Sequence, residues 1–184
     1  YTEIRQHGAR DAAESYATEF VLKLLKKRLF SSPAAFAATL ARHESSLASA
    51  AKRTAATSAR PSLGILRRQI EGIEEEYADD ESYEEASADA VEAATRLFRL
   101  PSEDEKSLLN TLREFGRRGS ARADAKASRL IEKLHETVKP GGAWGKERVI
   151  VFTEYRATQK WLQGLLAAEG LAEKERLLTL YGGQ

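Results

Sequence analysis

The chain contains no cysteine and no methionine. Without thiols it has neither a disulfide framework nor a thiolate metal site. Its three histidines, His7, His43 and His135, stand far apart at no metal-ligand spacing, so no metal ligand is expected. No apolar run reaches the roughly 20 residues that a helix needs to cross a bilayer. Tyr1-Thr-Glu-Ile-Arg5 has neither the basic start nor the apolar stretch of a signal peptide. A cytoplasmic chain without a membrane partner is expected. The missing initiator Met agrees with an excised or processed segment of something larger.

Catalytic signatures are missing too. No Gly-x-x-x-x-Gly-Lys-Ser/Thr phosphate loop is present, and no Asp-Glu-x-His element to hold magnesium. Gly141-Gly-Ala-Trp-Gly-Lys146 has glycines and a lysine, but at the wrong spacing and ahead of a strand rather than a helix, so it reads as a linker. His43-Glu44 and His135-Glu136 read as surface pairs on helix faces, and no nucleophile sits beside a base. No catalytic residue is expected.

What the chain does have is charge segregation and helical periodicity. Its 184 residues allow one or two domains with a core of useful size, and the net charge of +1 hides an asymmetry. Residues 71–92 hold many carboxylates and neither Lys nor Arg. Cations gather at Lys23, Lys26, Lys27 and Arg28, and again at Arg113, Arg117, Arg118 and Arg122. One reading makes both groups solvated helix faces. The other has basic surface attracting phosphate backbone, and the acidic arm pointing away from DNA or docking on a basic partner.

Tyr16, Phe20 and Leu24, with the neighbouring Val21, Leu25 and Arg28, predict the stripe of a helix ending near Phe30, with cations on the other side. Ser32-Pro33 restarts the chain with an N-cap serine and proline at the first helical position, and Phe36, Leu40 and Leu47 continue a stripe. Thr54 to Leu63 reads as a loop. Leu66, Ile70, Ile73 and Tyr77 mark a packed seam, and Tyr83 to Leu100 reads as a further helix. Ser102 and Glu105 form a capping box ahead of Leu108, Leu109, Leu112 and Phe115. Gly116 to Gly119 is expected to break that helix, and Ser120 to cap the last one, which carries Leu130, Ile131, Leu134 and Val138. Pro140 to Gly142 reads as a flexible link.

Beyond that link the pattern changes. Val149 to Phe152 is an unbroken apolar run, as in a strand buried on both faces. Tyr155 to Ala168 reads at helical period, Gly170 sits where a left-handed cap belongs, and Leu177 to Leu180 is a second apolar run. The predicted fold is mainly α: an elongated helical hairpin or bundle over residues 1–144, followed at 145–184 by a truncated β-α-β piece of a RecA-like parallel sheet.

Val149-Ile-Val-Phe-Thr-Glu-Tyr155, a helix and Leu180-Tyr-Gly-Gly183 resemble the opening of the second RecA-like lobe of superfamily 2 helicases, in the Swi/Snf-type branch of DNA-dependent ATPases. The first run matches that family's motif IV. Leu24-Leu-Lys-Lys-Arg-Leu-Phe-Ser-Ser-Pro-Ala-Ala-Phe-Ala-Ala-Thr-Leu40 is similar to the helical segment joining the two lobes of the same branch. The resemblance implies a parent that couples ATP hydrolysis, with ATP and magnesium as cofactors, to movement on DNA. This segment holds no cofactor of its own and should not hydrolyse ATP alone. By position in the family, Thr153, Glu154, Tyr155, Arg156, Gly182 and Gly183 fall on the nucleic-acid track. Thr and Arg suit phosphate contact, and paired glycines permit close backbone approach. Against this, Thr153 would serve simply as a helix cap and Gly182-Gly183 as a turn. The exposed strand Val149, Ile150, Val151 and Phe152 is expected to pack on the helices or, by preference, to pair with a second copy. The alternative function is a helical protein-interaction module with no motor role.

Overall fold

The stripe of Phe36, Leu40 and Leu47 lands in the middle of the protein, on the helix around which the others gather. The structure, a computed structural model, describes residues 1–53, 63–75 and 80–181. Nearly all of the expected loop 54–63, Tyr77, and Gly182 and Gly183 lie outside the described residues. The described part is mainly helical: α1 (Thr2–His7), α2 (Ala12–Ser31), α3 (Pro33–Arg53), α4 (Leu63–Glu75), α5 (Asp80–Thr95), α6 (Glu103–Ser120), α7 (Ala125–Val138) and α8 (Arg156–Ala168). Short 3₁₀ turns follow at Pro140–Gly142 and Glu173–Glu175. No described helix is long and apolar enough to cross a membrane.

α3 packs against α2, α5, α6 and α8, while α4 rests on α5 and α1 on α2. Their shared core is Ala17, Val21, Leu25, Phe36, Leu40, Leu47, Leu66, Ile70, Ala94, Leu97, Phe98 and Leu109. Each large side chain of this set stabilises the fold by about 1.5–3 kcal/mol through burial. A second, smaller core joins Ile131 and Leu134 of α7 to Leu166 of α8 and to Leu171, with Trp144 and Leu177 against it.

The caps explain most of the boundaries. Ser32 Oγ accepts from the Ala35 N–H at 3.0 Å, with Pro33 opening α3. Ser102 and Glu105 close a reciprocal capping box on α6. Gly170 is left-handed (φ +67°), and the Leu171 N–H reaches back to the Leu166 carbonyl at 2.9 Å, a Schellman-type end for α8. α5 stops at Thr95 because Leu97 and Phe98 turn inward on tighter bonds to the Ala94 and Thr95 carbonyls.

Four expectations are corrected. Gly116 to Gly119 does not break α6, which runs on to Ser120. These glycines face α3: a Cβ on Gly116 would lie 3.1 Å from Ala37 Cβ, and one on Gly119 2.8 Å from Pro33 Cβ. They are a close-approach seam rather than a breaker. Asp124, not Ser120, caps α7, accepting from Ala127 N–H at 2.8 Å; Ser120 Oγ instead donates to the Gly116 carbonyl. Arg28 is buried, as its place in the α2 stripe requires, so the solvated-face reading of that basic group does not hold for it. His43 is fully buried, not one half of a surface pair.

Val149–Phe152 and Leu177–Leu180 flank α8 as expected, but neither pairs into a strand; no β-ladder occurs among the described residues. Ile150 is 79% and Phe152 90% exposed, so the apolar faces that a parallel sheet would bury face outward.

Candidate functional site

α8 meets the helical body at one polar junction. The end of α2 and the start of α3 present Ser31 and Ser32, whose hydroxyls lie 2.7 and 2.8 Å from Thr158 Oγ1 on α8. One turn back on α2, Arg28 lies with its guanidinium 3.8 Å from the centre of the Tyr155 ring and donates from Nη1 to Glu84 Oε1 of α5 at 2.5 Å. A guanidinium is suited to this place because it stacks on its flat face while its edge still donates hydrogen bonds. Tyr155 is buried, and burial, with Glu154 beside it, pushes its phenol well above the usual tyrosine range. Lys126 of α7 adds a second tie, donating to the Phe30 and Ser31 carbonyls at the end of α2, where a cation suits the helix dipole.

A cavity of about 550 Å³ opens beside this junction between α2, α3, α5 and α8. Its cations are Arg28, Arg42, Arg156 and Lys160, and its carboxylates Glu84 and Glu85. Arg156 stacks on Tyr181 with its guanidinium 3.5 Å from the ring centre, and bonds to Gln159 in the first turn of α8. On the other side of α8, a groove of about 540 Å³ is lined by Phe30, Leu130, Val151, Phe152, Thr153 and Trp161 among others.

Of the residues expected on a nucleic-acid track, Thr153 lines this apolar groove and is not the cap of α8, whose N-cap position is held by Tyr155 with no side-chain bond. Tyr155 turns into the helical body and Arg156 into the cationic cavity. Thr153 and Arg156 are therefore not brought to one surface. Gly182 and Gly183 lie outside the described residues.

A second buried polar cluster joins α1, α2 and the start of α6. Glu105, fully buried, forms ion pairs with Arg5, Nε at 2.8 Å, and with Arg99, Nη1 at 2.6 Å, and also accepts the Ser102 N–H. Glu14 accepts the Arg99 N–H at 2.5 Å and the Arg10 guanidinium at 2.9 Å. Burial would raise both carboxyls, but these donors hold Glu14 and Glu105 below the usual carboxylate range. Next to it, Tyr1 Oη lies 2.6 Å from His43 Nε2, His43 Nδ1 3.1 Å from Thr95 Oγ1, and Thr95 donates to the Val91 carbonyl. With the Thr95 proton committed to Val91, His43 donates from Nδ1 and accepts at Nε2, the neutral tautomer. Burial pulls its pKa down to about 3, with the Arg5 charge acting the same way.

Sequence reading missed Arg28, Ser87, Thr158 and the Arg5–Glu105 cluster. The capping box was the available signal for Glu105, but nothing local says that its carboxylate also receives two arginines from elsewhere in the chain. No group of metal-ligating side chains occurs among the described residues. Compared with protein families, curated proteins and solved structures, the chain finds no match.

Proposed function

We propose that this chain is the helical inter-lobe region and the start of the second motor lobe of a superfamily 2, Swi/Snf-like DNA-dependent ATPase. In this reading residues 1–144 brace the lobe that begins near residue 145, and the segment is structural and non-catalytic by itself. One observation carries it. The two separately recognised stretches, residues 24–40 and 149–183, lie more than a hundred residues apart yet meet through Arg28 on Tyr155 and Ser31 and Ser32 on Thr158. Such a contact between the two stretches agrees with an inter-lobe segment that braces the second lobe. The outward apolar faces of Val149–Phe152, Leu178 and Leu180 agree with strands built for a larger parallel sheet. ATP and magnesium then belong to the parent, held by parts outside this segment, and DNA is the parent's partner.

The test is the uninterrupted reading frame around this segment. It should supply a phosphate loop and Asp-Glu-x-His before it and an arginine-rich motif after it, and the full polypeptide should release phosphate from ATP faster with duplex DNA. The pure 184-residue chain should release none, because it carries neither a phosphate loop nor an Asp-Glu-x-His element with which to cleave a triphosphate. DNA-stimulated hydrolysis by the isolated chain would overturn the assignment.

A further inference from the structure

The cavity between α2, α3, α5 and α8 has an unusual lining. Two of its polar side chains, Arg28 and Ser87, are each 2% exposed. Arg28 Nε and Ser87 Oγ have no hydrogen-bond partner among the described residues. Buried donors normally find partners, and two unpaired ones on one cavity wall mark a place built to receive an acceptor. The surrounding charge says which kind. Glu84 is neutralised by Arg28 at 2.5 Å, which leaves Arg42, Arg156 and Lys160 facing Glu85 alone. Two of the guanidiniums, Arg28 and Arg156, are held by their faces on Tyr155 and Tyr181. Their edge donors are thereby fixed in direction, the arrangement that suits the oxygens of a phosphate.

We infer that this cavity is a binding site for a small phosphorylated ligand carrying at least two phosphate groups, contacted by Arg42, Arg156 and Lys160 and by the Ser87 hydroxyl. The volume of about 550 Å³ is that of a small-molecule site. The inference stands independently of the motor assignment, since it uses none of the residues through which an ATPase would hold its own nucleotide. Because three helices of the body and α8 all line the cavity, a bound polyanion would cross-link the tail helix to the body by screening the repulsion among cations from α3 and α8.

Inorganic tripolyphosphate is the probe, titrated calorimetrically into the full 184-residue chain at moderate salt. The expected result is saturable binding of one tripolyphosphate per chain. Arg42→Ser and Lys160→Ser should each weaken it about tenfold, the loss of one charge-assisted contact. Arg117→Ser, at an exposed arginine on α6 paired with Glu114, should leave it unchanged. Ser87→Ala keeps the packing and should weaken binding several-fold without lowering the thermal midpoint, which separates a ligand contact from a folding defect. ATP in place of tripolyphosphate tells whether the site takes a nucleotide or a bare polyphosphate, and either result supports it. Binding that Arg117→Ser weakens as much as Arg42→Ser, no saturation, or duplex DNA binding tighter than tripolyphosphate at equal phosphate would overturn it.

Discussion

His43 is a histidine that refuses its proton. Its folded-state pKa of about 3 compares with 6.5 for the free side chain. As pH falls through 6.5 the unfolded chain takes up a proton that the folded one does not, so stability is complete above 6.5 and declines with acid down to about 3. The slope is about 1.4 kcal/mol per pH unit. Urea unfolding should therefore show about 1.4 kcal/mol less stability at pH 5.5 than at pH 7.5, and His43→Gln should remove that difference whatever it does to the absolute value. An equal slope in both proteins would show that His43 titrates normally. Glu105 makes a different prediction. With Arg5 and Arg99 both on its carboxylate, Glu105→Ala leaves the buried Arg5 charge without its carboxylate and should cost about 3–5 kcal/mol, read as a shift of the urea midpoint. Arg96, whose partner Glu92 is as exposed as itself, should matter by less than about 0.5 kcal/mol when changed to Ala.

At the level of elements, the seam between α3 and α6 is the most restrictive. Gly116→Val places methyls against Ala37 and Phe36 and should destabilise by about 1–3 kcal/mol by forcing the helices apart. Gly164 of α8 has no atom within 4 Å of a virtual Cβ, so Gly164→Ala should stabilise by about 0.5–1 kcal/mol. The same denaturant titration reads both, and a neutral Gly116→Val would mean that the seam is loose. This contrast also shows what the sequence makes legible. Apolar spacing found the stripes of α2, α3, α6 and α7, and local chemistry found the Ser32 and Ser102 caps and the Gly170 end, because each depends on residues within one or two turns. The glycines of α6 misled because a glycine that ends a helix and one that admits a neighbouring helix look alike until the neighbour is known. Arg28 and His43 misled for the same reason, since a charged or polar side chain reads as solvated unless its distant partner is in view. At the candidate site, the Ser-Ser-Pro turn and Tyr155 stood out, but Ser87 on α5 and Thr158 carry no signature of their own.

For the whole molecule, the exposed apolar runs decide behaviour in solution. Val151 and Phe152 share a groove with Phe30, and with the exposed Val149 and Ile150 beside them they form a surface of the kind that marks an interface. The isolated chain is expected to self-associate through Val149, Ile150, Val151 and Phe152, and Ile150→Lys to return it to a monomer, as seen by sedimentation. A wild-type chain that stays monomeric at high concentration would sink this expectation.

The division into two cores has a further consequence. The core of α7 and α8 shares no apolar member with the one built on α3; among the ties between them are polar ones: the serine and threonine hydroxyls, the stacked arginine, Lys126 on the end of α2, and Trp161 Nε1 donating to the Ser120 carbonyl. Hydrophobic bodies joined in this way open one before the other. Amide hydrogens of α7 and α8 should therefore exchange with solvent deuterium well ahead of those in the middle of α3, with the two helices exchanging as one block. Thr158→Val, which removes the hydroxyl from the junction, should speed that block alone.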